Sequence, residues 1–179
     1  TTGREDDAWL VIPSAWVEQA QARWTPKPPV GVKMSALGVD PARGGKDNTV
    51  LTTRYNWWFG EQILKKGIET SEGSDVAALC VSVVRDGAPI FLDVIGGAGT
   101  APFEHLKNNN VNVIGVVGSK KSNGHDLSGR LAFINERAEN WWRLREGLNP
   151  ESGENLALPP DRELKADLCA PRWKLTSRG

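Results

Sequence analysis

"KMSALGVDPARGGKDNTVLTTRY", residues 33–55, begins as an apolar run, ends that run on Asp40, turns through Pro41, Gly44 and Gly45, and resumes as the β-branched run 48–55. Residues 33–40 therefore predict a first strand and residues 48–55 a second, joined by a glycine-containing loop short enough to make them antiparallel neighbours. "WWFGEQILKK", residues 57–66, predicts a third strand and completes a meander. Asp40 stands where the first strand loses its apolar character. A tight turn or a metal ion would each want a carboxylate there.

Downstream the period changes. "GSDVAALCVSVVRDG", residues 73–87, sets Val76, Leu79, Val83 and Val84 at helical spacing between a Ser/Asp start and Gly87, and predicts a helix. "PIFLDV", residues 89–94, is almost wholly apolar, as a central strand covered on both faces reads; "TAPFEHLKNNN" (100–110) and "VNVIGVVGS" (111–119) add a helix and another buried strand. The expected order is βββαβαβ, an α/β fold with a mixed central sheet flanked by helices.

Both flanks are predicted helical. Residues 1–32 read as an arm: Ser14 is an N-cap candidate, Trp16, Ala20 and Trp24 follow at helical spacing, and "TPKPPVG" makes a stiff linker. Residues 33–179 then form the main domain. Leu131, Ile134, Ala138, Trp141 and Leu148 mark an amphipathic helix across 131–148, Asp161 caps a short helix, and "RWKLT" (172–176) looks like the start of one more strand.

Lysine plus arginine and aspartate plus glutamate number 22 each, so no global basic field exists to bind nucleic acid without regard to sequence. Any such binding is local. Lys33, Arg43, Lys46, Arg54, Lys65 and Lys66 outnumber Asp40, Asp47 and Glu61 in one stretch, and Lys120 and Lys121 adjoin in a loop-like one. Cys80 and Cys169 match no ligand spacing, which favours reduced thiols in an intracellular protein and disfavours zinc. No run approaches the roughly 20 apolar residues that span a bilayer, so no membrane partner is expected. The lack of an initiator methionine suggests an excised fragment.

Asp93 ends "PIFL" as Asp40 ends "SALGV". If the two strands are parallel neighbours, the carboxylates stand about 5 Å apart. Two anions that close either share a proton or hold a cation, and oxygen ligands suit Mg²⁺ or Mn²⁺. Such a pair supports two-metal phosphodiester hydrolysis. The competing account is local: Asp40 opens an Asx-type turn before Pro41, and Asp93 caps the glycine-rich loop after its strand. The spacing leaves both open.

Other chemistries fail on their motifs. A phosphate loop needs glycine where Asp40 stands and Ser or Thr where Asp47 stands. "VIGGAGTAP" (94–102) lacks a full G-x-G-x-x-G and reads as a tight strand-to-helix turn whose NH groups lie near a phosphate. His105 and His125 have no partner at a catalytic spacing.

Four stretches together resemble a known family: "GVDPARGGKDNT" (38–49), "IFLDVIGGAG" (90–99), "FINERAENWWRLREGL" (133–148) and "VIPSAWVEQAQARW" (11–24). Over most of its length the chain resembles the C-terminal nuclease domain of the large terminase subunit of tailed bacteriophages. That resemblance implies an RNase H-like fold over 33–179 and Mg²⁺- or Mn²⁺-dependent cleavage of concatemeric double-stranded DNA in the cytoplasm of an infected bacterial host. It also implies the terminase ATPase domain, the small terminase subunit and the portal protein as partners. Asp40 and Asp93 match the family's first and second metal-binding aspartates, and Asp47 an acidic residue common in the loop after the first. Arg43 and Lys46, with Lys120 and Lys121, would contact DNA backbone. The third family aspartate lies in a helix after the final strand, where this sequence departs; Asp167 is the one late carboxylate available to substitute, and the domain reads as truncated at its C-terminus. Two rivals stay open: another RNase H-like nuclease such as a Holliday-junction resolvase, and an inert module whose Trp9, Trp16 and Trp24 dock on the packaging ATPase or portal.

Overall fold

The computed structural model describes residues 8–42 and 44–176. The chain forms two compact units, one of residues 27–117 and one of residues 1–26 with 118–179.

The first unit is built on a sheet whose strands are β1 (Ala36–Asp40), β2 (Asn48–Tyr55), β3 (Trp58–Phe59), β4 (Ile63–Lys66), β5 (Ile90–Asp93) and β6 (Val113–Val116). The order is β3-β2-β1-β5-β6, with β4 also on β2. β2 runs antiparallel to β1, whereas β5 and β6 run parallel to β1. The parallel connections are made by helices α2 (Gly73–Val83) and α3 (Thr100–Asn108), as parallel strands require. The mixed sheet and flanking helices are those of an RNase H-like fold, and the expected βββαβαβ order appears with its third strand divided into β3 and β4.

Alternation along the strands sorts the two faces. Leu37, Val39, Leu51, Ile90 and Leu92 point to one face and pack with Val76, Ala77 and Cys80 of α2 and Leu106 of α3 in a core closed to solvent. α2 begins at a capping box formed by Glu72 and Asp75, one turn earlier than its Ser74/Asp75 signal, and ends at Val84 before the left-handed Gly87.

The expected third strand is broken. Phe59 pairs with Arg54 and Ile63 with Leu51, so three residues on one side oppose two on the other, a bulge. Gly60 sits there with its NH on the Thr53 carbonyl, and a Cβ would strike the Thr53 hydroxyl.

The second unit holds α1 (Ser14–Ala22), α4 (Glu136–Leu148) and α5 (Arg162–Leu168). Pro13, not Ser14, occupies the N-cap of α1, because proline's fixed φ of −61° is already that of the helix entrance. Val17 and Ala20 are buried, and the Ala20 carbonyl accepts the Leu158 NH at 3.1 Å. Arg145 of α4 donates to the Val11 carbonyl at 2.7 Å and stacks on Trp16 and Trp142, with 5.0 and 4.9 Å to the ring centroids. Trp9 lies 5.3 Å from Trp173. α4 starts at 136, not 131, because the Asn135 side chain accepts the Ala138 NH and stops the helix from extending back. Asp161 caps α5 as expected, accepting from Glu163 and Leu164.

The "RWKLT" expectation is corrected. Arg172 makes one antiparallel bridge with Leu10, where Val11 NH meets the Pro171 carbonyl at 2.9 Å and Trp173 NH the Trp9 carbonyl at 3.0 Å. A single bridge to the short segment Trp9–Val11 does not build a strand.

Candidate metal centre

Two carboxylates meet at the carboxyl ends of β1 and β5. The parallel register pairs Leu37 with Ile90, Gly38 with Phe91 and Val39 with Leu92, and Asp40 and Asp93 are the next residue of each strand. Residues at matching positions point to the same side, so both acids stand on the face opposite the Leu37–Leu92 core, about 4.8 Å apart along the sheet. Val50 of β2 pairs with Asp40 and Val116 of β6 with Asp93. The acids thus stand side by side with a valine on each flank.

The electrostatic result is direct. Asp40 is open to solvent at its strand end, yet partial burial first, and the neighbouring Asp93 charge second, push its carboxyl above the ordinary carboxylate range. A cation held between the two removes the repulsion that a proton would otherwise relieve.

The two carboxylates differ in what they already hold. Ile95 donates its NH to Asp93 Oδ1 at 2.8 Å, so Asp93 does cap the loop that follows it. That loop is the tight turn expected of "VIGGAG": Gly96 and Gly97 have φ of 73° and 80°, and α3 starts at Thr100. Its last glycine has no room for a side chain, since a Cβ on Gly99 would overlap the Asp93 carbonyl. For Asp40 the turn account fails. An Asx turn would take the Ala42 NH, two residues on, and that NH is donated instead to Thr49 Oγ1 at 3.0 Å. Asp93 is fixed by a turn; Asp40 is spared one.

The Ala42 contact is part of a buried chain of hydroxyls. Thr49 is wholly buried and Thr70 nearly so, with their hydroxyl oxygens 2.7 Å apart, and Thr70 donates to the Lys66 carbonyl at 3.4 Å. One orientation satisfies every member: Ala42 NH to Thr49, Thr49 to Thr70, Thr70 to Lys66. A second tie runs from the Gly67 NH to the Asp47 carbonyl at 2.8 Å. The loop from Asp40 to Asp47 is therefore fastened at both ends to the turn Gly67–Thr70. Sequence reading missed both threonines. The signal was Thr49, in phase with buried Leu51 along β2, where an apolar residue belongs.

The other expected residues fall out as follows. Lys46 and Asp47 are exposed in the turn after Gly44 and Gly45. Arg43 lies outside the described residues. Lys120 and Lys121 belong to the second unit, exposed, and Lys120 makes a surface ion pair with Glu136 at 3.5 Å. Asp167 is exposed on α5, also in the second unit. Among the described residues no cluster of three His, Cys, Asp or Glu side chains is placed to hold a metal, so the centre offers a pair. Among the described residues no helix is long and apolar enough to cross a membrane.

The fold and its two strand-end acids define the class, an RNase H-like domain with a carboxylate pair. Among solved structures the chain is similar to the nuclease domain of the large terminase subunit gp2 of bacterial virus Sf6, at 18% identity and a TM-score of 0.65 over 94% of this chain and 85% of that one. A mutant form of that domain with manganese gives a TM-score of 0.62 at 18% identity over the same shares. The large terminase nuclease of thermophilic phage G20c with bound magnesium gives 0.53 at 17% identity, over 84% of this chain and 70% of that one. At these identities the likeness is one of fold. No family model matches the sequence, and no curated protein matches it.

Proposed function

We propose that this chain is the nuclease domain of a phage large terminase subunit, with residues 33–179 as its catalytic domain, and that it cleaves double-stranded DNA using Mg²⁺ or Mn²⁺ at Asp40 and Asp93. One observation carries the reading: Asp40 and Asp93 end neighbouring parallel strands at matching positions, and partial burial first, with the Asp93 charge second, pushes the Asp40 carboxyl up. Similar domains whose structures contain manganese and magnesium support the choice of ion.

The donor set fits a hard divalent cation, being two carboxylates, of which Asp93 has Oδ1 accepting the Ile95 NH. Such an ion, when bound, lowers the pKa of water and screens the phosphate charge. Asp40 and Asp93 would hold it, each supplying negative charge from a fixed strand end. Asp93 is oriented by the Ile95 NH, as an outer partner orients a ligand. Lys46, beside the exposed Asp47 and adjoining Arg43 across the two glycines, would take the flanking DNA backbone, with Lys120 and Lys121 as further phosphate contacts. Asp47 would support the pair from the loop, and Asp167 is the late acid to be tested for a part in it. Packaging partners follow from the same reading: the terminase ATPase domain, the small subunit and the portal, in the cytoplasm of the infected host.

The test is nicking of supercoiled plasmid. Mn²⁺ should support it and EDTA should stop it, and Asp40→Asn or Asp93→Asn should each slow it by at least about 100-fold, the upper end of what loss of even an outer partner costs. Metal-independent nicking, or full activity in Asp40→Asn, would refute the reading.

A further inference from the structure

We infer that the buried Thr49–Thr70 hydroxyl pair is a positioning device that keeps Asp40 available to a cation by withholding the Ala42 NH from it. The inference rests on the metal centre proposed above and deepens it.

Asp40 is followed by Pro41, and an aspartate before a turn ordinarily closes on the NH two residues on. Here that NH points to Thr49 Oγ1 at 3.0 Å. Thr49 accepts it because its own proton goes to Thr70, 2.7 Å away, whose proton goes to the Lys66 carbonyl. Remove the Thr49 hydroxyl and Ala42 has a partly buried donor that loses its acceptor, a situation a chain relieves by moving. The nearest relief is the Asp40 carboxylate. It would gain an NH and lose the freedom to take a cation.

Neither hydroxyl has another evident use. Both are buried, and at Thr49, which lies in phase with Leu51 along β2, a valine would fill the same space and suit the strand. Their retention follows if the loop must be held in one conformation. The tie at the other end of the loop has the same logic: a Cβ on Gly67 would come within 2.6 Å of the Asp47 carbonyl and 2.8 Å of the Gly44 carbonyl. The turn Gly67–Thr70 therefore clamps the loop that carries Lys46 and Asp47, and sets the ligand Asp40 apart from it.

The variants are Thr49→Val, Thr49→Ser and Thr70→Val in the full chain. Exchange of the Ala42 amide in metal-free protein is read by NMR, Mn²⁺ affinity by calorimetry and plasmid nicking by kcat and KM. We expect Ala42 exchange in Thr49→Val to quicken by about 10-fold or more, as loss of about 1.4 kcal/mol of protection gives, and Mn²⁺ affinity to fall by about 10-fold, within the range for an outer partner of a ligand. Nicking should lose kcat with KM for DNA unchanged. Thr49→Ser, which keeps the hydroxyl, should restore all three, and Thr70→Val should give a smaller loss of the same kind. If Thr49→Val folds and matches the parent in Ala42 exchange and Mn²⁺ affinity, the inference is overturned. If exchange and affinity change as expected while the parent itself does not nick DNA, the positioning device stands and the nuclease reading falls. A Thr49→Val chain that fails to fold leaves the decision to Thr70→Val, where parent-like exchange at Ala42 overturns the inference.

Discussion

Asp40 and Asp93 are 53 positions apart in sequence and stand at the adjoining carboxyl ends of a parallel pair of strands, each one residue beyond the Val39–Leu92 pair. The strands end there together because "SALGV" and "PIFL" are of similar length and both bury alternate residues under α2 and α3. Burial of Leu37, Val39, Ile90 and Leu92 on one face forces Asp40 and Asp93 to the other. Packing of the core thus sets the separation of the acids.

Asp40→Asn should stabilise the metal-free chain. The folded state raises this carboxyl above its unfolded value, so it holds the proton more tightly than the unfolded chain does. The charge therefore weakens the fold at any pH above the folded-state pKa. That penalty fades as pH falls through it and vanishes below the ordinary value of about 4. Urea melts in EDTA should show the variant ahead of the parent at pH 7.5 and level with it near pH 3.5. A variant weaker than the parent at pH 7.5 would mean the carboxylate is already compensated.

Mn²⁺ should reverse that order. An ion that binds only the folded state adds about 2.7 kcal/mol at 100 times its Kd. Thermal melts with Mn²⁺ should rise for the parent and stay flat for Asp40→Asn and Asp93→Asn. Equal rises in all three would place the ion elsewhere.

Gly99→Ala should loosen the Asp93 end of the site. Its methyl group would meet the backbone of Asp93 and Val94, which cannot give way without shifting the strand end. Overpacking of this kind costs about 1–3 kcal/mol, read as a shift of the urea midpoint, and Mn²⁺ affinity should fall with it. Gly87→Ala is the control. Its φ of 68° makes alanine strained, but open space surrounds it, so stability drops and Mn²⁺ affinity holds.

The two cysteines should react very differently. Cys80 is sealed in the core between α2 and the sheet, and burial pushes its thiol up to about 12. Thiol reagents attack the thiolate. Native protein should therefore show one reactive thiol, the partly exposed Cys169, with Cys80 labelled only as the chain unfolds. Two equally fast thiols would contradict the core described here.

Much of the fold was legible because period and punctuation agreed. β2 matches its predicted range, and both parallel strands and both crossover helices lie where their apolar runs place them, but the strands are not covered on both faces as expected: Phe91 of β5 and Ile114 of β6 are exposed, because the helices cover one face and β6 is the edge strand. Errors came where a local partner overrode the pattern. Asn135 clipped α4 by capping it, Pro13 displaced Ser14 from the N-cap, and a bulge at Gly60 split a strand whose composition looked continuous. "RWKLT" has strand composition but met only a short N-terminal segment. In the site, the position of Asp40 and Asp93 at strand ends was readable; which of them also served a turn was not. That depended on Thr49 and Thr70, which come together only when β2 and the turn after β4 fold on each other.

Anomalous diffraction at the manganese edge, from crystals grown with Mn²⁺, tests the central claim most directly. The account predicts a peak within direct coordinating distance of oxygens of both Asp40 and Asp93. Manganese bound elsewhere, with that pair empty in a chain that still cleaves DNA, would contradict it.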